Sequence, residues 1–131
     1  LEDLTLLTKM YKGLREAEKA DDEMSNRGMQ QLMHDFITNE KHDAYLLKNE
    51  EDVIGYGVVN LERKPKYLRH LFIQPKYQKK GYGRTLVDLT LQRYNASELD
   101  IEVFLWNQNA INFYKHVGFD MRCYSMRLKK E

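Results

Sequence analysis

Apolar positions recur at helical spacing in the first third of the chain and at strand spacing in the middle. Over residues 3–19, Leu4, Leu7, Tyr11, Leu14 and Glu18 share one helical face, and only the last is polar. Asp3 is placed to cap that helix. Asp21-Asp22-Glu23 breaks the pattern. Ser25 is placed to cap a second helix to about Thr38, with Met29, Leu32, Met33, Phe36 and Ile37 as its stripe. Those methionines read as core filling.

Strand patterns follow. Residues 44–48 and 53–61 flank the polar turn Asn49-Glu50-Glu51-Asp52 and read as a hairpin. Gly55 and Gly57 within it predict close backbone packing or a bulge. A loop at 63–66 leads to a third strand over 67–74, closed by Pro75. After a polar loop at 76–81, a helix is expected over 83–94, with Leu86, Leu89 and Leu91 apolar. Residues 99–106 have almost no polar gap and predict a strand buried on both faces. A short helix over 110–117 ends at Gly118, and residues 119–129 read as a final extended stretch. The strand–helix–strand of 67–106 is long enough for a parallel crossover, so a mixed α+β sheet is expected.

Length and composition narrow this picture. A chain of 131 residues, 42% hydrophobic and 31% charged, predicts a single globular domain over 1–131. Its apolar runs are too short to span a membrane, and its start does not resemble a signal peptide. Leu1 in place of an initiator Met suggests a processed or trimmed chain. The one cysteine, Cys123, excludes an internal disulfide and a Cys-based zinc cage, and a cytoplasmic home is expected. His34, His42 and His116 have no metal-ligand spacing, so no metal is expected.

The formal net charge of +1 conceals an uneven distribution. Residues 1–62 carry 7 basic and 14 acidic side chains, residues 63–84 carry 8 basic and none acidic, and the remainder balances. The basic stretch fits either an anionic partner or a solvated face with counter-charges elsewhere.

That stretch ends in the most informative turn: Gln74-Pro75-Lys76-Tyr77-Gln78-Lys79-Lys80-Gly81-Tyr82-Gly83-Arg84. A buried strand stops at a proline, and a basic turn with two glycines opens a helix. Free N–H groups at the helix start, the helix dipole and Lys79, Lys80 and Arg84 make a site for a phosphate or pyrophosphate. The Walker A spacing is absent, and Leu86 stands where a dinucleotide fingerprint needs its third glycine. What remains is Q-x-x-G-x-G, at Gln78, Gly81 and Gly83. Alone, such a turn is as often merely structural.

Further on runs N-x-N-A-x-x-F-Y-x-x-x-G-F, from Asn107 to Phe119. Together the two stretches resemble the GCN5-related N-acetyltransferase (GNAT) family. The first matches its acetyl-CoA pyrophosphate motif, and the second matches the segment that completes the cofactor site. The resemblance implies a GNAT-like fold: a mixed, mostly antiparallel sheet with a splayed parallel pair, flanked by helices. It implies direct transfer of an acetyl group from acetyl-CoA to a primary amine, on a small cation or a protein. Leu71, Phe72 and Ile73 would pair with pantetheine through their backbones. Gln78, Lys79, Lys80, Gly81, Tyr82, Gly83 and Arg84 would hold the pyrophosphate, and Asn107 and Asn109 would contact the pantetheine arm.

Tyr114 matches the family's usual general acid; the alternative is a core aromatic beside Phe113. Glu102 matches the glutamate base of ribosomal-protein N-terminal acetyltransferases, and partial burial in its apolar strand would raise its pKa. It could equally be hydrogen-bonded to a neighbouring strand or exposed at the sheet edge. Tyr67 stands where other members begin the third strand with a glutamate. His70 is a candidate water-mediated relay or a satisfied core histidine. The strand that the family usually places ahead of the first helix is either absent or trimmed from this chain, and only twelve residues follow Phe119, where two late strands are usual. The acceptor pocket and a homodimer interface are therefore left open.

Two other classes compete. A non-catalytic acyl-CoA sensor on the same fold would bind without turnover. A nucleic-acid module would use the basic stretch, but the acidic first half would repel DNA, and no nucleic-acid or membrane partner is expected. The acidic run 21–23 would attract a cationic acceptor, or simply solvate a loop.

Overall fold

The computed structural model describes residues 2–50 and 52–130. Residue 51 of the first hairpin turn and the unusual residue 1 lie outside the described residues. The order of elements is α1 (Leu4–Glu18), α2 (Asn26–Thr38), β1 (His42–Lys48), β2 (Val53–Asn60), β3 (Tyr67–Ile73), α3 (Tyr82–Arg93), β4 (Asp100–Ile101) and α4 (Gln108–Val117). The strands lie in the order β1-β2-β3-β4, with the first two pairs antiparallel and β3–β4 parallel. The mixed sheet read from the sequence is therefore present.

Helix α1 buries Leu7, Met10, Tyr11 and Leu14, and α2 buries Met29, Met33 and Phe36. Both stripes meet Tyr56 and Val58 of β2 and Phe72 of β3. A second apolar layer joins Val59 and Leu68 to Val87 of α3, and Ile73 to Leu86. Strand β2 is buried nearly throughout because helices cover both faces of the sheet. Ser25 caps α2 as expected, its Oγ accepting the Gly28 N–H at 3.0 Å. Asp3 differs: only its backbone carbonyl serves α1, accepting the Leu7 N–H, with no side-chain cap bond.

Three further expectations change. Leu89 is 43% exposed, and α3 buries Leu86, Val87 and Thr90 instead, because Thr90 returns its hydroxyl to the Leu86 carbonyl and reaches Tyr45. The strand expected over 99–106 shrinks to Asp100–Ile101 and is not buried on both faces; Leu105 is 74% exposed. Residues 119–130 form no strand, and Tyr124, Met126 and Leu128 lie open to solvent. The last two changes share a cause. Beyond Ile101 the chain leaves β3, and among the described residues no strand pairs it on the other side.

His70 occupies the centre of the helix-covered face. Its ring stacks on Tyr11 at 4.6 Å, meets Phe36 edge-on, and shares a 3.1 Å hydrogen bond between Nδ1 and the Tyr56 hydroxyl. Of the two roles open in the sequence, the satisfied core histidine is the one found. Burial, with smaller contributions from Arg69, His42 and Arg15, pushes its pKa down to about 3. The unfolded chain binds that proton near pH 6.5, so stability is complete above about pH 6.5 and falls as pH drops toward 3. Urea unfolding is expected to lose roughly 2 kcal/mol between pH 6.5 and pH 5, at about 1.4 kcal/mol per unit. His70→Gln should flatten most of that slope; an equal slope in the variant would assign it to other groups.

Candidate active site

The parallel pair is splayed. Strand β3 continues to Ile73, yet it pairs with β4 only at Tyr67↔Asp100 and Leu68↔Ile101. Beyond Leu68, β3 has no strand partner on that edge among the described residues, a gap in the pairing along segment 69–73. Gln78 guards the end of the gap, its amide donating to the Ile73 carbonyl at 2.9 Å. This is an anchoring role, which fixes the basic turn against the strand it follows.

The turn then enters α3 through Lys79 at φ +63° and Gly81 at φ +86°. A Cβ at Gly81 would meet nothing within 4 Å, so glycine is required here by the left-handed backbone and not by crowding. Gly83 is required for the opposite reason. A Cβ there would stand 2.8 Å from the Phe113 ring, so the first turn of α3 lies flat against α4. The N–H groups of that first turn have no helical acceptor and point outward.

The basic stretch divides around this turn. Arg63 stacks over Tyr67, Lys66 lies over Tyr94, Arg69 lies over Phe36 and Lys76 pairs with Asp52 at 3.1 Å. Lys79, Lys80 and Arg84 are exposed and have no ion-pair partner among the described residues. Of the stretch's unpaired cations, Lys64 stands in the loop before β3 and the other three are gathered at the helix start, where a phosphate gains most from them.

Helix α4 brings in Tyr114. Asn107 caps the helix through its side-chain oxygen on the Ala110 N–H, and Asn109 is exposed on the first turn. The Tyr114 ring packs edge-on against Phe113 and Phe119. It is half-buried, and its hydroxyl has no hydrogen-bond partner among the described residues. Burial, and secondarily the Glu18 carboxylate, push its pKa well above that of a free phenol. It therefore stays protonated across the physiological range, as a proton donor must.

The basic, glycine-bearing helix start thus meets the helix that carries the half-buried phenol. The sequence matches the Acetyltransferase (GNAT) family over residues 7–119.

The chain belongs to the GNAT acetyltransferase family.

It is 37% identical over 82 residues to peptidyl-lysine N-acetyltransferase YiaC of Escherichia coli (strain K12), a match covering 59% of this chain and 54% of that protein. It is 31% identical over 72 residues to an uncharacterized N-acetyltransferase encoded in the lysA 3′ region of Bacillus methanolicus, covering 54% of this chain and 60% of that one. The chain spans about half the length of the curated relatives it matches. Its fold is similar to that of a mutant BH1408 protein from Bacillus halodurans, with a TM-score of 0.82 at 19% identity, covering 99% of this chain and 95% of that one.

Acetyl-CoA is the acyl donor of the GNAT family. Among the described residues no cluster of three or more His, Cys, Asp or Glu could hold a metal, and no helix is long and apolar enough to cross a membrane.

Of the two settings the sequence left open for Glu102, the structure shows the exposed, hydrogen-bonded one. It is exposed, and its carboxylate accepts the Tyr67 hydroxyl at 2.9 Å. Strand β4 ends at Ile101, so Glu102 is not covered by strand pairing. Asp22, at the expected acidic mouth, is paired with Arg15, which binds both its carboxylate and its carbonyl.

Two residues of this region did not stand out in the sequence as site residues. Trp106 stacks on Phe104 and donates its indole N–H to the Glu18 carbonyl at 2.9 Å, joining the end of α1 to the approach to α4. Glu18 lies within electrostatic reach of Tyr114 and Tyr56. Its signal was available as the lone polar member of the α1 stripe.

Proposed function

We propose that the protein transfers the acetyl group of acetyl-CoA directly to a primary amine, with the ammonium of a lysine side chain or of a small cationic molecule as the natural acceptor. The observation that carries this reading is the unbonded Tyr114 hydroxyl, on a helix that packs against the basic helix start through Gly83 and Phe113. The likeness to a peptidyl-lysine N-acetyltransferase supports a lysine acceptor.

In this reading Lys79, Lys80, Arg84 and the first N–H groups of α3 hold the pyrophosphate, with Tyr82 lining the same turn. Backbone groups of Leu71, Phe72 and Ile73 align the pantetheine arm and polarise the thioester carbonyl. Asn107 and Asn109 steady the arm at its bend. The thioester supplies an activated acetyl group. Tyr114 then gives its proton to the sulfur as the C–S bond breaks, so that a thiol leaves in place of a thiolate.

The test is thiol release from acetyl-CoA over a panel of lysine peptides, polyamines, aminoglycosides and free amino acids. Turnover with at least one of them is expected. Acetyl-CoA binding with no turnover on any amine would favour a sensor built on the same fold.

A further inference from the structure

The basic loop that enters α3 is closed at its base by two tyrosines. Tyr77 and Tyr82, the first residue of α3, meet edge-on with ring centroids 5.9 Å apart. Both rings pack against the cluster of Ile54, Ile73 and Leu86. Between them run only Gln78, Lys79, Lys80 and Gly81, and two of these, Lys79 and Gly81, are left-handed. The ring contact therefore sets where α3 begins, and with it the direction of the free N–H groups of its first turn.

A carboxylate from another part of the fold holds the outer tyrosine. Tyr77 donates its hydroxyl to Asp52 Oδ2 at 2.5 Å, and the Lys76 ammonium donates to the same oxygen at 3.1 Å. Asp52 is exposed, in the turn between β1 and β2. Two bonds with Asn49 fix its backbone there. Its N–H donates to Asn49 Oδ1 at 2.7 Å, and its carbonyl accepts the Asn49 N–H at 3.0 Å. The next two residues hold the same segment. The Val53 carbonyl accepts the Gln74 side-chain amide at 2.6 Å, and the Ile54 carbonyl accepts the Gln74 N–H at 2.8 Å. Segment 74–77 is thus tied to three successive residues, Asp52, Val53 and Ile54.

We infer that Asp52 and Tyr77 are positioning residues for the donor's pyrophosphate: the Asp52 carboxylate holds the Tyr77 hydroxyl, and the Tyr77 ring holds the start of α3 where its N–H groups meet the anion. This rests on the acetyl-transfer reading above and gives that site a support from the β1–β2 turn. Neither residue acts on the donor directly. A turn already held in its bound shape loses less freedom when the anion arrives, so its affinity depends on what holds it.

Charge and geometry make opposite predictions here. Asp52 is an anion near an anion site, and it occupies Lys76. If its charge were all that mattered, Asp52→Ala would free a cation and tighten binding of acetyl-CoA. Positioning requires that the same change weaken it. Tyr77→Phe isolates the geometric part, because it removes the bond to Asp52 while keeping the ring and every charge.

The test measures binding of acetyl-CoA and of acetyl-pantetheine, which lacks the pyrophosphate, to the wild type, Tyr77→Phe, Asp52→Ala and the double variant. Each single variant is expected to bind acetyl-CoA about fivefold more weakly, and the double variant no more weakly than either. Acetyl-pantetheine should bind all four alike. In turnover the KM for acetyl-CoA should rise while kcat at saturating donor is kept. Unchanged or tighter acetyl-CoA binding in Asp52→Ala, which alters no ring contact, would overturn the inference. So would losses that add in the double variant, or an equal loss of acetyl-pantetheine, which would place the damage in the β3 edge. A wild type that binds acetyl-CoA no more tightly than acetyl-pantetheine would overturn the reading of the turn as a pyrophosphate site, and the inference with it.

Discussion

Tyr114→Phe is expected to lower kcat by about 10²-fold or more while leaving acetyl-CoA affinity unchanged. The separation follows from where the side chain makes its contacts. The ring packs on Phe113 and Phe119, and phenylalanine retains both contacts. The hydroxyl has no hydrogen-bond partner among the described residues, so its removal strands no buried group and costs little stability. In the proposed reaction its only loss is the proton offered to the leaving sulfur. Because burial and Glu18 hold the phenol proton tightly, the wild-type rate should show no alkaline decline from Tyr114 below about pH 10. The measurement is single-turnover thiol release with acetyl-CoA affinity determined separately. An unchanged kcat, with chemistry shown to be rate-limiting, would remove Tyr114 as the acid. A fall in acetyl-CoA affinity would instead mean that the hydroxyl helps hold the donor.

The features that were legible in the sequence are those set by near neighbours. The stripes of α1 and α2, the Ser25 cap and the turn from Gln78 to Arg84 each depend on residues a few positions apart. The structure places each close to where periodicity predicted it. Features set by distant partners were misread. An apolar run such as 99–106 reports that residues avoid water; it does not report whether a strand lies beside them. Here the run leaves β3 after Ile101, and that divergence opens the gap beside Leu71, Phe72 and Ile73. The same limit left Glu102 with two settings, and only the fold selects the exposed one bonded to Tyr67. Glu18 shows the converse. A polar residue within an apolar stripe is usually a stripe's end, and only the fold shows Tyr56, Trp106 and Tyr114 arriving from later in the chain.

The edge that lines the gap is held in place from the opposite side, and the second large effect arises there. Gly55→Ala is expected to destabilise the fold by about 3 kcal/mol or more, lowering Tm by roughly 10 °C or more. In the β2–β3 ladder Gly55 stands opposite Ile73 and Tyr56 opposite Phe72. A Cβ at Gly55 would lie 2.0 Å from the Phe72 carbonyl oxygen and 3.0 Å from both Cα and Cδ1 of Ile73. The nearest of these atoms is backbone in a paired strand, so rotating a side chain cannot relieve the overlap. Relief requires β3 to move away from β2, or the pair to open locally. Either movement displaces Phe72 and Ile73, the residues whose far edge faces the splayed gap, and Ile73 also carries the carbonyl that Gln78 holds. Gly55→Ala should therefore weaken acetyl-CoA binding even under conditions where the protein is still folded. Tyr114→Phe should leave that binding intact. Thermal unfolding together with acetyl-CoA titration separates the two cases. Wild-type Tm and affinity in Gly55→Ala would mean that β3 can shift without moving the donor edge, and would remove β2 as the support of the site.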